Sequence, residues 1–214
     1  MFDALFTTTT EYKKLSHALS GKGACALFGL PASGRAQVYA ALCRQLDKPL
    51  CIVTPGEAEA TRFAADLNTL GIPAAVFPAR DYVLRPIEGT AREYEYRRLA
   101  VLGELVGGRL RAVAVPAEAL TQFTTPKEDF CANTRTLHAG DTLLRDDLLA
   151  ALFGAGYTRR AQVDGPGQFS VRGDIVDIFA PDQKMPVRME FWGDEIDTLH
   201  TFDLTTQRRE DAID

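Results

Sequence analysis

Apolar positions along this chain follow two rhythms, and each predicts its own kind of structure. Up to about residue 120, short apolar runs are separated by stretches in which apolar residues return every three or four positions. That spacing lines one side of a helix. Tyr12, Leu15 and Leu19 keep it within a helical lead-in over residues 1–22. Ala24 to Phe28 is the first apolar run and predicts a strand, followed at once by Gly29-Leu30-Pro31-Ala32-Ser33-Gly34. Val38, Leu42 and Leu46 then mark a helix. Pro49–Val53, Ala74–Phe77 and Ala112–Val115 predict further strands. Glu57–Leu70, with Phe63, Leu67 and Leu70 inward, and the charged stretch Thr90–Val106 predict helices. Apolar strands alternating with helices imply a parallel sheet with helices on both faces and right-handed crossovers.

The rhythm changes near Thr121. Thr124 to Glu128 is polar and contains Pro126, which places a boundary there. A strand over Thr134–His138 and a helix follow, the helix carrying Leu144, Leu148, Leu149, Leu152 and Phe153 on its apolar face. Gly154 or Gly156 can cap its end. Beyond it, apolar residues return at every second position. An extended run covers Gln168–Phe179, with Gly173-Asp174 inside it as a bulge or bend. Val187, Met189 and Phe191 alternate with Arg188, Glu190 and Trp192, the pattern of a half-buried strand. Gly193-Asp194 suits a two-residue turn, and Ile196–Phe202 returns antiparallel. The predicted class is α/β: a parallel sheet with flanking helices over residues 1–125, then a smaller α+β domain with an antiparallel sheet over 126–208. Residues 209–214 read as the start of a segment returning to the first domain.

Composition adds bounds. The 214 residues are 46% apolar and 25% charged, which suits a soluble globular chain. A net charge of −5 argues against an unaided grip on nucleic acid, because that affinity is mostly phosphate neutralisation by Lys and Arg. The first ten residues carry no basic start with a long apolar run, and no stretch approaches bilayer length. A cytoplasmic protein without a membrane partner is expected. Cys25, Cys43, Cys51 and Cys131 fall in no metal-ligand spacing, and His17, His138 and His200 are isolated, so no metal site is expected.

The one stretch with the shape of a chemical motif is Gly29 to Ala36, GLPASGRA. Its two glycines fit the phosphate-loop template G-x-x-x-x-G-K-[ST]. Arg35 stands where a lysine would reach the phosphates, and Ala36 where a hydroxyl would hold Mg²⁺. A guanidinium binds as a planar fork rather than a point charge, and a methyl offers the metal nothing. A residual anion site and a fossil turn both fit these residues; the fossil reading is favoured. After the last predicted strand, Pro116-Ala117-Glu118 offers no acidic pair of the kind phosphoryl transfer needs. No catalytic residue, no cofactor and no ATP are expected.

At Gly156-Tyr157-Thr158-Arg159, Gly167–Phe179, Val187–Asp203 and Thr206-Gln207-Arg208, the chain resembles the N-terminal region of the bacterial transcription-repair coupling factors, the Mfd family. It is similar there to the matching domain of the excision-repair protein UvrB as well. The resemblance is strongest over about 134–208 and weaker but consistent over 1–125. UvrB-like chains keep an intact phosphate loop and a Tyr-rich hairpin after the third strand. Here the loop is altered and Arg80–Tyr94 is too short for that hairpin, which sides with the coupling factors. The resemblance implies a degenerate P-loop, RecA-like first domain and a second domain that recruits UvrA, the damage-recognition ATPase. It also implies a longer whole protein, an ATP-dependent DNA translocase that binds RNA polymerase and DNA through parts outside these residues.

The resemblance makes Arg159 and Arg172 contacts to UvrA. A further arginine of UvrB-like chains is Ser170 here. From the residues alone, Arg159 and Arg172 are equally well solvated edge-strand charges. Phe169 is the aromatic expected to be partly exposed beside them, whereas Phe179, Phe191 and Phe202 read as core. Glu190 is a candidate partner for arginines on UvrA; Asp194 and Glu195 read as a solvated tip. Trp192, on the opposite face from Phe191, is either packed away or an interface aromatic. Three functions compete: a non-catalytic recruitment module, a nucleotide-binding or helicase fragment, and a stand-alone DNA-binding module. The missing Lys and Ser/Thr disfavour the second, and the net charge the third.

Overall fold

A computed structural model describes residues 7–21, 24–46, 48–80 and 92–213. They form two compact units, Met1–Thr90 with Val101–Phe123, and Ala91–Ala100 with Thr124–Asp214.

The first unit is built on three parallel strands, β1 (Leu50–Thr54), β2 (Ala74–Val76) and β3 (Ala112–Pro116), in the order β1-β3-β2. The central strand β3 is buried along its whole length, as expected of a parallel strand covered on both faces. Helices α2 (Ala32–Gln45) and α3 (Glu57–Thr69) cover one face, where Ala40, Cys43, Phe63 and Leu67 meet Ile52, Ala112 and Ala114. Val101 and Leu105 of α4 (Glu93–Val106) pack with Leu110 against Val113 and Val115. Helix α1 (Thr10–Ser20) begins at Thr9, whose hydroxyl accepts from the Tyr12 N–H at 3.2 Å, and sets Tyr12 against Val38, Ala41 and Leu42. The guanidinium of Arg111 donates to the Cys43 and Leu46 carbonyls at 2.6 and 2.5 Å, satisfying acceptors that the end of α2 leaves open. Burial pushes the neighbouring Cys43 thiol pKa up. A four-residue helix α5 (Ala117–Leu120) closes this unit.

One predicted element of this unit is absent. Ala24–Phe28 joins no strand; it runs exposed, with Phe28 87% accessible. An apolar run states a preference for burial but names no ladder partner, and among the described residues β1 pairs only with β3. The helix expected from Thr90 is seen from Glu93; Thr90, residues 1–6 of the lead-in and most of Arg80–Tyr94 lie outside the described residues.

The second unit carries a six-stranded sheet in sequence order: β4 (Thr158–Arg159), β5 (Gln168–Arg172), β6 (Ile175–Phe179), β7 (Val187–Trp192), β8 (Glu195–Phe202) and β9 (Arg209–Ala212). β4 runs parallel to β5 and every other pair is antiparallel. Arg209–Ala212, read from sequence as part of a return segment, is the edge strand on β8. A short helix α6 (Lys127–Ala132) precedes helix α7 (Arg145–Gly154). Leu148 and Leu152 of α7 cover one sheet face, against Phe169, Val176, Met189, Phe191 and Ile196. α7 ends as the glycine pattern allows: Gly156 takes φ +83°, its N–H reaches the Phe153 carbonyl, and the Tyr157 N–H reaches Leu152. This is a Schellman cap, with Tyr157 packed against the cluster that includes Leu152. Val163, Phe179 and Phe202 form a smaller cluster with Leu204 on the other face.

Three expectations change here. The run Gln168–Phe179 is two strands, because Gly173-Asp174 is a hairpin turn with Arg172 opposite Ile175 and Gly173 at φ +61°. A glycine first in a two-residue turn matches the twist of the strands it joins. Gly193-Asp194 repeats the device, with Trp192 opposite Glu195. Thr134–His138 is not a strand; the His138 N–H donates to the Asp141 carboxylate at 2.8 Å in a local turn, and the sheet is met instead by the bridge from Thr142 to Glu195. The apolar stripe of α7 is narrower than its leucines suggest, since Leu144 and Phe153 are more than half exposed.

Candidate protein-interaction site

Period-two alternation divides the second sheet into two chemically different faces. Register partners share a face. Phe169, Val176, Met189 and Phe191 point to α7. The alternate positions, Ser170 and Arg172, Ile175 and Asp177, Arg188, Glu190 and Trp192, point the other way. Across that face the pairing lines up Arg172, Ile175, Glu190 and Thr198 in one row, and Ser170, Asp177, Arg188 and His200 in the next.

The centre of this face is an acid that the sequence analysis passed over. Asp177 is fully buried. Arg188 holds it bidentately, Nε to Oδ1 at 2.6 Å and Nη2 to Oδ2 at 2.9 Å. Arg188 in turn stacks over Phe202, its guanidinium carbon 4.8 Å from the ring centre. The hydrogen bond to Asp177 pushes the Arg188 pKa further up. Arg172 donates Nη2 to the same Oδ2 at 2.8 Å, while half of its side chain stays exposed. The Ser170 hydroxyl is a longer donor to that oxygen, at 3.4 Å. One carboxylate therefore answers two guanidinia. Arg188 matches its charge from inside, and Arg172 is left as a fixed, outward-facing surplus cation. The legible signal was an Asp and an Arg on the polar positions of adjacent alternating strands, which antiparallel register can place opposite each other.

The other candidates divide. Glu190 shares the face of Arg172 but is engaged within the chain, in an ion pair with Arg209 and with the Thr198 hydroxyl at 3.4 Å. Arg159 is exposed, yet its register partner is Phe169, so it lies on the α7 side, away from Arg172. Phe169 corrects the expectation of partial exposure: its exposure is 0%, under α7, with the Phe153 ring edge-on at 5.1 Å. Its neighbours in the strand turn to the opposite face, and that parity carries the ring under the helix. Trp192 is settled as an exposed aromatic, 83% accessible.

In the first unit, Gly29 takes φ +81°, but Gly34, Arg35 and Ala36 already belong to α2. Arg35 meets Glu59 at 3.7 Å, and Ala36 is buried. Among the described residues no group of three or more His, Cys, Asp or Glu could hold a metal. Among them, too, no helix is long and apolar enough to cross a membrane.

Residues 136–214 match the family model described as the UvrB interaction domain, so the sheet and α7 define the class of this unit. The likeness extends beyond it. The chain is 38% identical over 86% of its length to a transcription-repair-coupling factor of Mycobacterium bovis, covering 15% of that protein. It is 34% identical over 86% to one of Myxococcus xanthus, covering 16%, and 29% identical over 85% to one of Bacillus subtilis, also covering 16%. Over most of its own length the chain is similar to the transcription-repair-coupling factors, and its second unit carries the match to the UvrB interaction domain. It spans about a sixth of the length of the curated relatives it matches.

Proposed function

We propose that this chain is a non-catalytic recruitment module that binds UvrA and so brings nucleotide excision repair to a stalled RNA polymerase. The observation that carries the reading is Arg172: an exposed guanidinium pinned by a buried carboxylate, within the domain that the family model names for interaction. A pinned arginine loses little freedom on binding and can still fork onto a partner carboxylate. In this reading Arg159 adds a contact from the other face, Glu190 and Arg209 exchange one another for partner charges at the rim, and Phe169 supports β5 from beneath. UvrA docks on the domain read from sequence as residues 126–208, whose sheet the strand Arg209–Ala212 extends.

The first domain is then a degenerate P-loop, RecA-like fold that binds no ATP. In support, Arg35 is occupied by Glu59 and position 36 is a buried methyl with no hydroxyl for Mg²⁺. The whole protein would contact RNA polymerase and move on DNA through parts beyond this chain, in the cytoplasm.

The test is calorimetric titration of UvrA into the wild-type chain and into Arg172→Ala, with folding checked by circular dichroism. The wild type is expected to bind, and the variant to lose at least about 1.4 kcal/mol, a tenfold change. A wild-type chain that neither gives heat nor co-elutes with UvrA would sink the reading.

A further inference from the structure

The recruitment reading leaves one surface residue without work. Trp192 is the only tryptophan of the chain and is 83% exposed. It is not a loose loop residue. It ends β7, is paired across the Gly193-Asp194 turn with Glu195, and follows Phe191, which is buried on the opposite face. A large, rigid indole on the end of a paired strand gives up little freedom when covered. Tryptophans in such positions dominate interface energetics.

The charges around it are ordered. On the helix-free face Asp177 is matched by Arg188, and Glu190 by Arg209. Those pairs cancel. Among the described residues, what remains uncancelled on the β5 side is Arg172. What remains at the other end is the exposed acidic turn, Asp194 and Glu195. Trp192 lies between the two ends, two positions along β7 from Glu190, whose row holds half-buried Ile175 and Arg172. The face thus reads, from one side to the other, cation, apolar, anion. Such an order fixes the orientation of a partner as well as attracting it.

We propose that Trp192 is the apolar anchor of this docking face, and that it seats in an apolar pocket on UvrA flanked by a carboxylate on the Arg172 side and a lysine or arginine on the turn side. The proposal rests on the recruitment reading and names the epitope that reading requires.

The single tryptophan makes the test direct. The chain is prepared with 5-fluorotryptophan, which gives one fluorine resonance, and unlabelled UvrA is titrated in. Affinities of wild type, Trp192→Ala, Trp192→Phe and Glu195→Lys are measured in parallel. The fluorine resonance is expected to shift or broaden with UvrA. Trp192→Ala is expected to weaken binding at least tenfold, Trp192→Phe to recover most of that loss, and Glu195→Lys to weaken binding severalfold. Because Trp192 is exposed, these variants keep the wild-type circular dichroism and melting curve. If the wild type binds UvrA while the resonance stays unmoved and Trp192→Ala binds equally well, the anchor is wrong and recruitment stands. If the wild type does not bind, recruitment fails and the epitope falls with it.

Discussion

Arg35 and Arg172 are both arginines beside a carboxylate, and the two pairs could hardly differ more. Arg35 and Glu59 meet at 3.7 Å with both side chains in contact with water, 48% and 30% exposed. Arg172 and Asp177 meet at 2.8 Å, and Asp177 is wholly inside. A pair in water gains little Coulomb energy and loses side-chain freedom, so its net worth is about 0–1 kcal/mol. A buried carboxylate has no such alternative. Deprived of water, it must be satisfied by protein donors, and it holds whatever donor reaches it. The lesson is that a motif position and a site are different things. The glycine segment keeps the spacing of a phosphate loop, yet its cation is engaged by a neighbouring surface acid. The sheet face carries no familiar motif, yet its cation is held in one place by the core.

The comparison can be broken most forcefully at its buried end. Asp177→Asn leaves Arg188 an uncompensated inward cation, and a loss of about 3–5 kcal/mol is expected in urea unfolding followed by circular dichroism. A loss below about 1 kcal/mol would mean that the burial of Asp177 does not fix the arginines at all.

The turns come next. Gly173 sits at φ +61°, a conformation unfavourable for a side chain, so Gly173→Ala should cost about 1–2 kcal/mol in the same assay. Gly34 lies within α2, where alanine is the better helix former by about 1 kcal/mol, offset by the Pro31 ring 3.3 Å from the added carbon. Gly34→Ala is therefore expected to change stability by under about 1 kcal/mol. An equal cost at the two glycines would remove the distinction between a turn that needs its glycine and a loop that has outlived it.

The smallest effect belongs to the surface pair. Arg35→Ala should shift stability by less than about 0.5 kcal/mol, and less still at high salt, because the pair is exposed and screened. A larger loss, or a measurable fall in ATP affinity from a wild-type chain that binds it, would restore the glycine segment as a working site.

Much of the fold was legible along the chain. The three strands of the first unit and the helix Glu57–Thr69 follow directly from apolar runs and helical spacing. So does the hairpin closed by Gly193-Asp194. The failures share a cause. Ala24–Phe28 had the composition of a strand, but strands exist by pairing, and pairing is decided by what else reaches the sheet. Gly173-Asp174 was legible as a break and misread in kind: the same two residues serve a bulge or a turn, and only the direction of the following strand separates them.

The site was legible in part. Alternation puts Arg172 and Glu190 on polar positions of their strands, but it was the family resemblance that singled out Arg172. Phe169 was misplaced although the same parity was available, with the polar Ser170 and Arg172 beside and beyond it on the opposite face. Local pattern determined the elements and the parity of each strand, because φ, ψ preference and side-chain period are properties of neighbouring residues. Tertiary structure alone decided that Asp177 meets Arg188 and Arg172, that Arg159 lies on the opposite face from Arg172, and that Trp192 stays in water. Those outcomes depend on strand order and register. They are set by the burial of a whole face at once, a quantity no single stretch of the chain contains.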